Sequence, residues 1–278
     1  MSASSYAARR AAFRKLHESG CFLIPNPWDA GSARMLAGLG FKALATTSSG
    51  FAWSQGQRDH AMGVDAVLAH CRELVAATEL PVNVDFEDGH ARDLAELADN
   101  VRRCIDTGIA GLSIEDSTGN AAQPLYAFDE ALARMRAARA AIDASGEDVM
   151  LIGRAECFLV GHPDPLDESL KRLQAYAAAG ADCLYAPGAS TPEQISAIVA
   201  AVAPKPVNVL VGRPVTSTLD DYARLGVRRI SVGGALAGVA WGAALRAARG
   251  LADGRFDGFA GAASHGEVDA LFPASPAT

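Results

Sequence analysis

Thr107-Gly-Ile-Ala-Gly-Leu-Ser-Ile-Glu-Asp116 holds the unit from which the chain is built. A helix-like stretch ends at Gly108, a compact apolar run follows from Ala110 to Ile114, and two acids, Glu115 and Asp116, close it. Glycine past the last helical turn is the usual left-handed cap, and a buried parallel strand reads as a compact apolar run. The same order recurs at Leu39-Gly40 before Lys42-Ala-Leu-Ala-Thr46, at Ala179-Gly180 before Ala181-Asp-Cys-Leu-Tyr185, and at Leu225-Gly226 before Val227-Arg-Arg-Ile-Ser-Val232. Filling the intervals gives eight strand candidates, starting near Cys21, Lys42, Pro81, Ala110, Val149, Ala181, Pro206 and Val227. Amphipathic stretches separate them at 30–39, 64–78, 92–107, 129–144, 166–179, 192–202 and 217–225, and 235–251 follows the last strand. Asp129, Ser217 and Thr191-Pro192-Glu193 carry helix-entry chemistry. Eightfold alternation over this length predicts an α/β chain folded as a (β/α)8 TIM barrel. A doubly wound open sheet is the alternative, but the first turn lacks a G-x-G-x-x-G sequence.

No low-complexity linker divides the sequence, so 1–278 reads as one barrel domain with a helical tail at about 235–278. The alanine-rich stretch 235–251, broken by Gly238 and Gly242, is expected either to swap onto a neighbouring subunit or to cover its own barrel. Half of the residues are hydrophobic, enough for a large core. The net charge of −7, with no basic run, argues against a nucleic-acid partner. Residues 1–14 have no apolar centre and do not read as a secretory signal. No apolar stretch approaches the ~18 residues of a membrane span. Five scattered cysteines (Cys21, Cys71, Cys104, Cys157, Cys183) without metal spacing read as buried free thiols, and the expected location is the cytoplasm.

Chemistry concentrates at the predicted carboxyl ends of the strands, where such barrels place their sites. Pro81-Val-Asn-Val-Asp-Phe-Glu-Asp-Gly-His90 begins as a short buried strand and ends in Asp85, Glu87 and Asp88. The other ends supply Thr46-Thr-Ser-Ser-Gly50, Glu115 and Asp116, Arg154 and Glu156, Tyr185, Asn208, and Ser231, Gly233 and Gly234. Grouped carboxylates repel and are costly to bury unpaired, so hard oxygen ligands arranged this way imply a divalent cation, usually magnesium with manganese as a substitute. Asp85, Glu87 and Glu115 are the expected ligands, directly or through water, and structural ion pairs with arginines are the alternative. Arg154 suits a substrate carboxylate, with a salt bridge to Glu156 as the alternative. Ser48, Ser49 and Gly50 offer N–H groups and hydroxyls to a developing oxyanion, and an ordinary tight loop is the other reading.

The set Thr47-Ser-Ser-Gly-Phe51, Gly56-Gln-Arg-Asp59, Val84-Asp-Phe-Glu-Asp-Gly89, Ile114-Glu-Asp116 and Gly153-Arg-Ala-Glu-Cys-Phe158 resembles the isocitrate lyase/phosphoenolpyruvate mutase superfamily. The motifs occur in family order from about Phe13 to Leu251. The resemblance implies a magnesium-dependent barrel that works on α-keto or α-hydroxy acids through an enolate-like pyruvate fragment. It places the metal acids at Asp85, Glu87 (commonly aspartate in the family) and Glu115, and the carboxylate-binding arginine at Arg154. The oxyanion loop maps to Ser49, Gly50 and Phe51, and the loop aspartate to Asp59. With Thr47, Ser48, Asn208 and Gly233 expected at the substrate, these residues make the candidate site. The lyases' Lys-Lys-Cys-Gly-His loop has no counterpart, and Ser117-Thr-Gly-Asn-Ala-Ala-Gln-Pro124 lacks the mutases' lysine. The expected activity is a carbon–carbon lyase or decarboxylase on a small dicarboxylate or keto acid. Phosphonopyruvate-type P–C chemistry and keto-acid binding without turnover are the alternatives, and a homo-oligomer, dimer or tetramer, is expected.

Overall fold

The computed structural model describes residues 3–272. Eight parallel strands alternate with helices: β1 (Phe22–Ile24), β2 (Leu44–Ala45), β3 (Val82–Asp85), β4 (Gly111–Glu115), β5 (Met150–Arg154), β6 (Cys183–Tyr185), β7 (Val207–Leu210) and β8 (Arg229–Ser231). Their order is β1-β8-β7-β6-β5-β4-β3-β2, all neighbours parallel. Between β1 and β2, Ala45 N–H donates to the Pro25 carbonyl (3.0 Å) and the Asn26 amide donates to the Thr46 carbonyl (2.8 Å). The nearly closed sheet with alternating helices is the (β/α)8 TIM barrel, and all eight strands fall where the sequence places them.

The helices are α1 (Ala3–Leu16), α2 (Ala30–Gly38), α3 (Ser48–Ser54), α4 (Val64–Ala77), α5 (Leu94–Ile105), α6 (Phe128–Ser145), α7 (Pro165–Ala178), α8 (Pro192–Val202), α9 (Leu219–Arg224), α10 (Ala235–Ala252) and α11 (His265–Asp269). Gly40, Gly108, Gly180 and Gly226 all hold positive φ, which is why the repeat is punctuated by glycine. Thr191 makes the expected capping box with Gln194. Two helix starts differ from expectation. Asp129 lies in the first turn of α6, whose cap is Ala127 without a side-chain bond, and Thr218 rather than Ser217 caps α9.

Helix α1, which composition alone did not reveal, lies beneath the amino ends of the strands. Phe13 is fully buried among Ile24, Ala43, Ala110, Met150, Ile152 and Cys183, closing the barrel floor. Arg9 donates to the Val75 carbonyl (3.0 Å), and Arg10 to those of Ile109 (2.9 Å) and Ile105 (3.2 Å). The Val75 and Ile105 carbonyls lie at the carboxyl ends of α4 and α5, where a helix lacks internal donors, and that of Ile109 lies in the turn before β4.

Two histidines are buried outside the strand-end face. His17 packs edge-on between Phe13 and Phe22, and burial, then the nearby Arg229 charge, lowers its pKa to about 3. His70 stacks on Phe51 at 3.9 Å between centroids, and burial lowers it to about 4. Below the ordinary value near 6.5 the unfolded chain binds protons that the fold refuses, so each histidine destabilises as pH falls, until its folded pKa is reached. The slope is about 1.4 kcal/mol per pH unit per group. Denaturant titrations at pH 6.5 and 5 should therefore show a smaller acid loss for His70→Phe than for the parent chain, and an equal loss would contradict the assignment.

Candidate active site

At the carboxyl ends of the strands lies a cavity of about 160 Å³, lined by Thr46, Thr47, Ser48, Ser49, Asp59, Asp85, Arg154, Tyr185, Asn208, Ser231, Gly233 and Gly234 among others. Alternation along the strands explains the lining: Asn83 and Asp85 on β3, Ser113 on β4, Arg154, Tyr185 and Asn208 sit at inward positions on strands in register.

Arg154 is the electrostatic centre. Its Nη1 lies 2.9 Å from Asp85 and 3.1 Å from Glu115, and its Nε donates to Glu156. The guanidinium also lies over the Tyr185 ring, 5.3 Å from the centroid. Burial works against the Arg154 charge, but Glu115, Glu156 and Asp85 outweigh it and hold the group well above its ordinary pKa. Three carboxylates surround one guanidinium, and burial, opposed by Arg154 and reinforced by Glu156, pushes the Glu115 carboxyl well above the usual range.

The two acid clusters divide their labour. Asp88 turns away from the mouth to accept from Tyr126 Oη (2.8 Å) and approach Arg134 (3.5 Å). Asp116, buried, accepts from Tyr176 Oη (2.7 Å), Arg172 (3.0 Å) and Glu156 N–H (2.8 Å), tying β4 to α7. Glu115 points inward and Asp116 outward, as the two-residue strand period requires.

Glu87 opens onto an adjacent recess shared with Glu115, His60, Asp88 and Tyr126. Its φ of +48° is costly for a residue with a side chain, so the surrounding structure must impose it. Glu115 N–H donates to the Glu87 carbonyl (2.9 Å), and His60 Nδ1 meets the Glu87 carboxylate at 3.1 Å. That hydrogen bond, more than any other influence, raises the His60 pKa to about 9. His60 is a site residue that sequence reading missed; its position beside Asp59 in the Gly56-Gln-Arg-Asp59 motif was the available signal.

Among the described residues no three carboxylate, imidazole or thiolate groups converge as a metal cluster. Asp85, Glu87 and Glu115 do not form a cage, because Arg154 stands between Asp85 and Glu115 and His60 engages Glu87. The donor set is nonetheless all hard oxygen, and negative charge exceeds the arginine's. That chemistry fits a cation such as magnesium, which keeps several waters and takes few direct protein ligands.

The family model of phosphoenolpyruvate phosphomutase matches residues 13–252. The chain belongs to this family. A solved structure of a provisionally assigned lyase/mutase from Burkholderia cenocepacia J2315 is similar at TM-score 0.92 and 46% identity, covering 96% of both chains. Oxaloacetate decarboxylase of Rhodopseudomonas palustris strain BisB18 is 30% identical over 241 residues, 82% of this chain and 78% of that protein. Oxaloacetate acetylhydrolase in complex with the product oxalate has TM-score 0.83 and 26% identity, covering 96% of this chain and 94% of that one.

Within this phosphoenolpyruvate phosphomutase-family barrel, the Thr47-Ser-Ser-Gly-Phe51 segment is the start of α3 rather than a loop. Thr47 caps it, accepting from Gly50 N–H (3.3 Å), so that N–H is already engaged and does not face an oxyanion. The Phe51 ring lies in the core against His70 and not on the cavity. Ser48 and Ser49 remain at the mouth. Gly50 serves close packing: a Cβ there would stand 2.6 Å from Thr47 Cγ2, 3.0 Å from Trp28 Cβ and 3.2 Å from Ala237 Cβ. Gly50→Ala should cost about 1–3 kcal/mol through overpacking and displace the two serines. A denaturation midpoint and turnover both equal to the parent chain's would refute this.

Sequence reading also missed Asn26, which lines the cavity and whose Oδ1 accepts from Val232 and Gly233 N–H (2.9 Å each), and Asn83, Ser113 and Arg229 on its wall. The 117–124 segment folds back through a bridge between Ser117 and Leu125, and Asn120 Oδ1 accepts from Ala122 N–H (3.0 Å) within its own turn.

Proposed function

We propose that this chain is a carbon–carbon lyase or decarboxylase for a small α-keto dicarboxylate of the oxaloacetate type, dependent on magnesium or manganese. A lyase-type enzyme agrees with its relatives, whose names describe decarboxylation of oxaloacetate or its hydrolysis to oxalate. The observation that carries the reading is the small polar cavity in which Arg154 is held rigidly by Asp85, Glu115 and Glu156. Arg154 would bind a substrate carboxylate through its remaining N–H groups, fixing the bond to be broken against the strand ends. In decarboxylation that bond's electron pair passes to the keto oxygen as carbon dioxide leaves. The resulting enolate would rest on the Ser48 and Ser49 hydroxyls before a proton returns to carbon. Asp85, Glu87 and Glu115 would hold the cation, which supplies Lewis-acid stabilisation of the negative oxygen. Asp59, on the cavity wall, would position water or a proton.

The test is pyruvate release from oxaloacetate, methylisocitrate, dimethylmalate and citramalate with magnesium, with and without chelator. Chelator-sensitive release from oxaloacetate is expected. No release from any of them, with phosphate released from phosphonopyruvate instead, would replace the reading with P–C chemistry. The lysine-free 117–124 segment favours the lyase.

The proposal includes a homo-oligomer, and α10 supports it: the helix buries only Ala237 and Gly250 and exposes Val239, Trp241, Leu245 and Leu251. Such a patch usually marks an interface. Light scattering should give a dimer or tetramer for the parent chain and a lower mass for Trp241→Glu; a monomeric parent chain would refute it. The part of the tail at 273–278 lies outside the described residues. No helix among the described residues is long and apolar enough to cross a membrane.

A further inference from the structure

One row of register crosses half of the barrel: Glu115 is level with Arg154, Arg154 with Tyr185, Tyr185 with Asn208, and Asn208 with Arg229. Glu115, Arg154 and Tyr185 end their strands, whereas Arg229 begins β8. The row therefore descends from the mouth into the barrel, as strand tilt requires. Arg229 is 3% exposed and lines the same cavity as Arg154.

The two arginines differ in their partners. Arg154 has three carboxylates, while Arg229 forms no ion pair among the described residues. Its Nε donates to Asn208 Oδ1 (2.8 Å), and Asn208 in turn donates to Ser231 Oγ (3.0 Å). Its Nη1 is buried with no hydrogen-bond partner among the described residues. A buried guanidinium without a counter-charge is unfavourable, so such a group persists where it receives an anion. Asn208 holds the fork in place, which pre-organises it for a carboxylate.

We propose that Arg229 is a second carboxylate-anchoring residue, and that it makes the cavity select dicarboxylates over monocarboxylates. This rests on the reading of the cavity as a keto- or hydroxy-acid site. Arg154 takes one end of the ligand near the mouth and Arg229 takes the other at depth, so a ligand with one carboxylate leaves one cation unsatisfied.

Malate and lactate test this, because malate is lactate with one methyl hydrogen replaced by a carboxyl group. Calorimetry on the full chain with magnesium should show malate binding ~10- to 100-fold tighter than lactate, the value of a charge-assisted hydrogen bond in a desolvated site. Arg229→Met, which keeps length and removes charge, should bring the two affinities to within about threefold, chiefly by weakening malate. Arg229→Lys keeps charge but loses the fork, and should fall between. It also carries the test if the methionine variant does not fold. An unchanged malate-to-lactate ratio in both variants, or equal weakening of both ligands in a cooperatively folded variant, would overturn the role of Arg229 alone. A parent chain that binds neither acid would overturn the reading of the cavity and this inference with it.

Discussion

Arg154→Ala is expected to cut kcat/KM for the substrate at least ~100-fold, mainly through a raised Michaelis constant, and to destabilise the fold by about 3–5 kcal/mol. The two losses have separate causes. Binding suffers because the planar donor proposed for the substrate carboxylate is gone. Stability suffers because Asp85, Glu115 and Glu156 lose their shared cation, and Glu115 and Glu156 are buried. Arg154→Lys separates these causes: it returns charge among the carboxylates without the fork, so stability should recover more than activity. Saturation kinetics and denaturant unfolding on the three proteins check this. Parent-level activity in the alanine variant would remove Arg154 from the site.

The second large effect is a contrast between adjacent residues. Glu115→Gln should abolish chelator-sensitive turnover while leaving stability within about 1 kcal/mol, because it removes one of three crowded carboxylates and keeps the shape. Asp116→Asn should do the reverse. Its carboxylate accepts from Tyr176, Arg172 and the Glu156 backbone in a buried setting, and neutralising it leaves Arg172 without its buried partner. A loss of about 3 kcal/mol is expected, with turnover per folded molecule near the parent value. Thermal melts and metal-saturated assays on both variants decide it. Inactivation by the Asp116 change in a fully stable protein would reverse the assignment.

These two acids show how far a sequence pattern reaches. Glu115-Asp116 reads as a pair of mouth acids, and so does Glu87-Asp88. In the fold only one acid of each pair, Glu115 and Glu87, turns to the strand-end recess, where Arg154 and His60 meet them, while Asp116 and Asp88 anchor helices through Arg172, Tyr176, Tyr126 and Arg134. Those partners lie 38 to 60 positions away, so no local spacing reveals them. The Thr47–Phe51 segment is similar. Its small polar residues suggest an oxyanion loop, but the cap at Thr47 takes the Gly50 N–H and the core takes Phe51.

The sequence by itself determined the barrel. Strand and helix alternation depends on apolar periodicity and on glycines where φ must be positive, and both are local properties of the chain. It also determined which strand ends carry polar groups, and so the face of the barrel that holds the site. Only the tertiary structure decided which of those groups meet. Convergence of Arg154 on Asp85, Glu115 and Glu156, the hold of His60 on Glu87, and the solitary buried charge of Arg229 depend on strand stagger and loop placement. Charges interact through space and in the dielectric that packing creates, and neither is written in the order of residues.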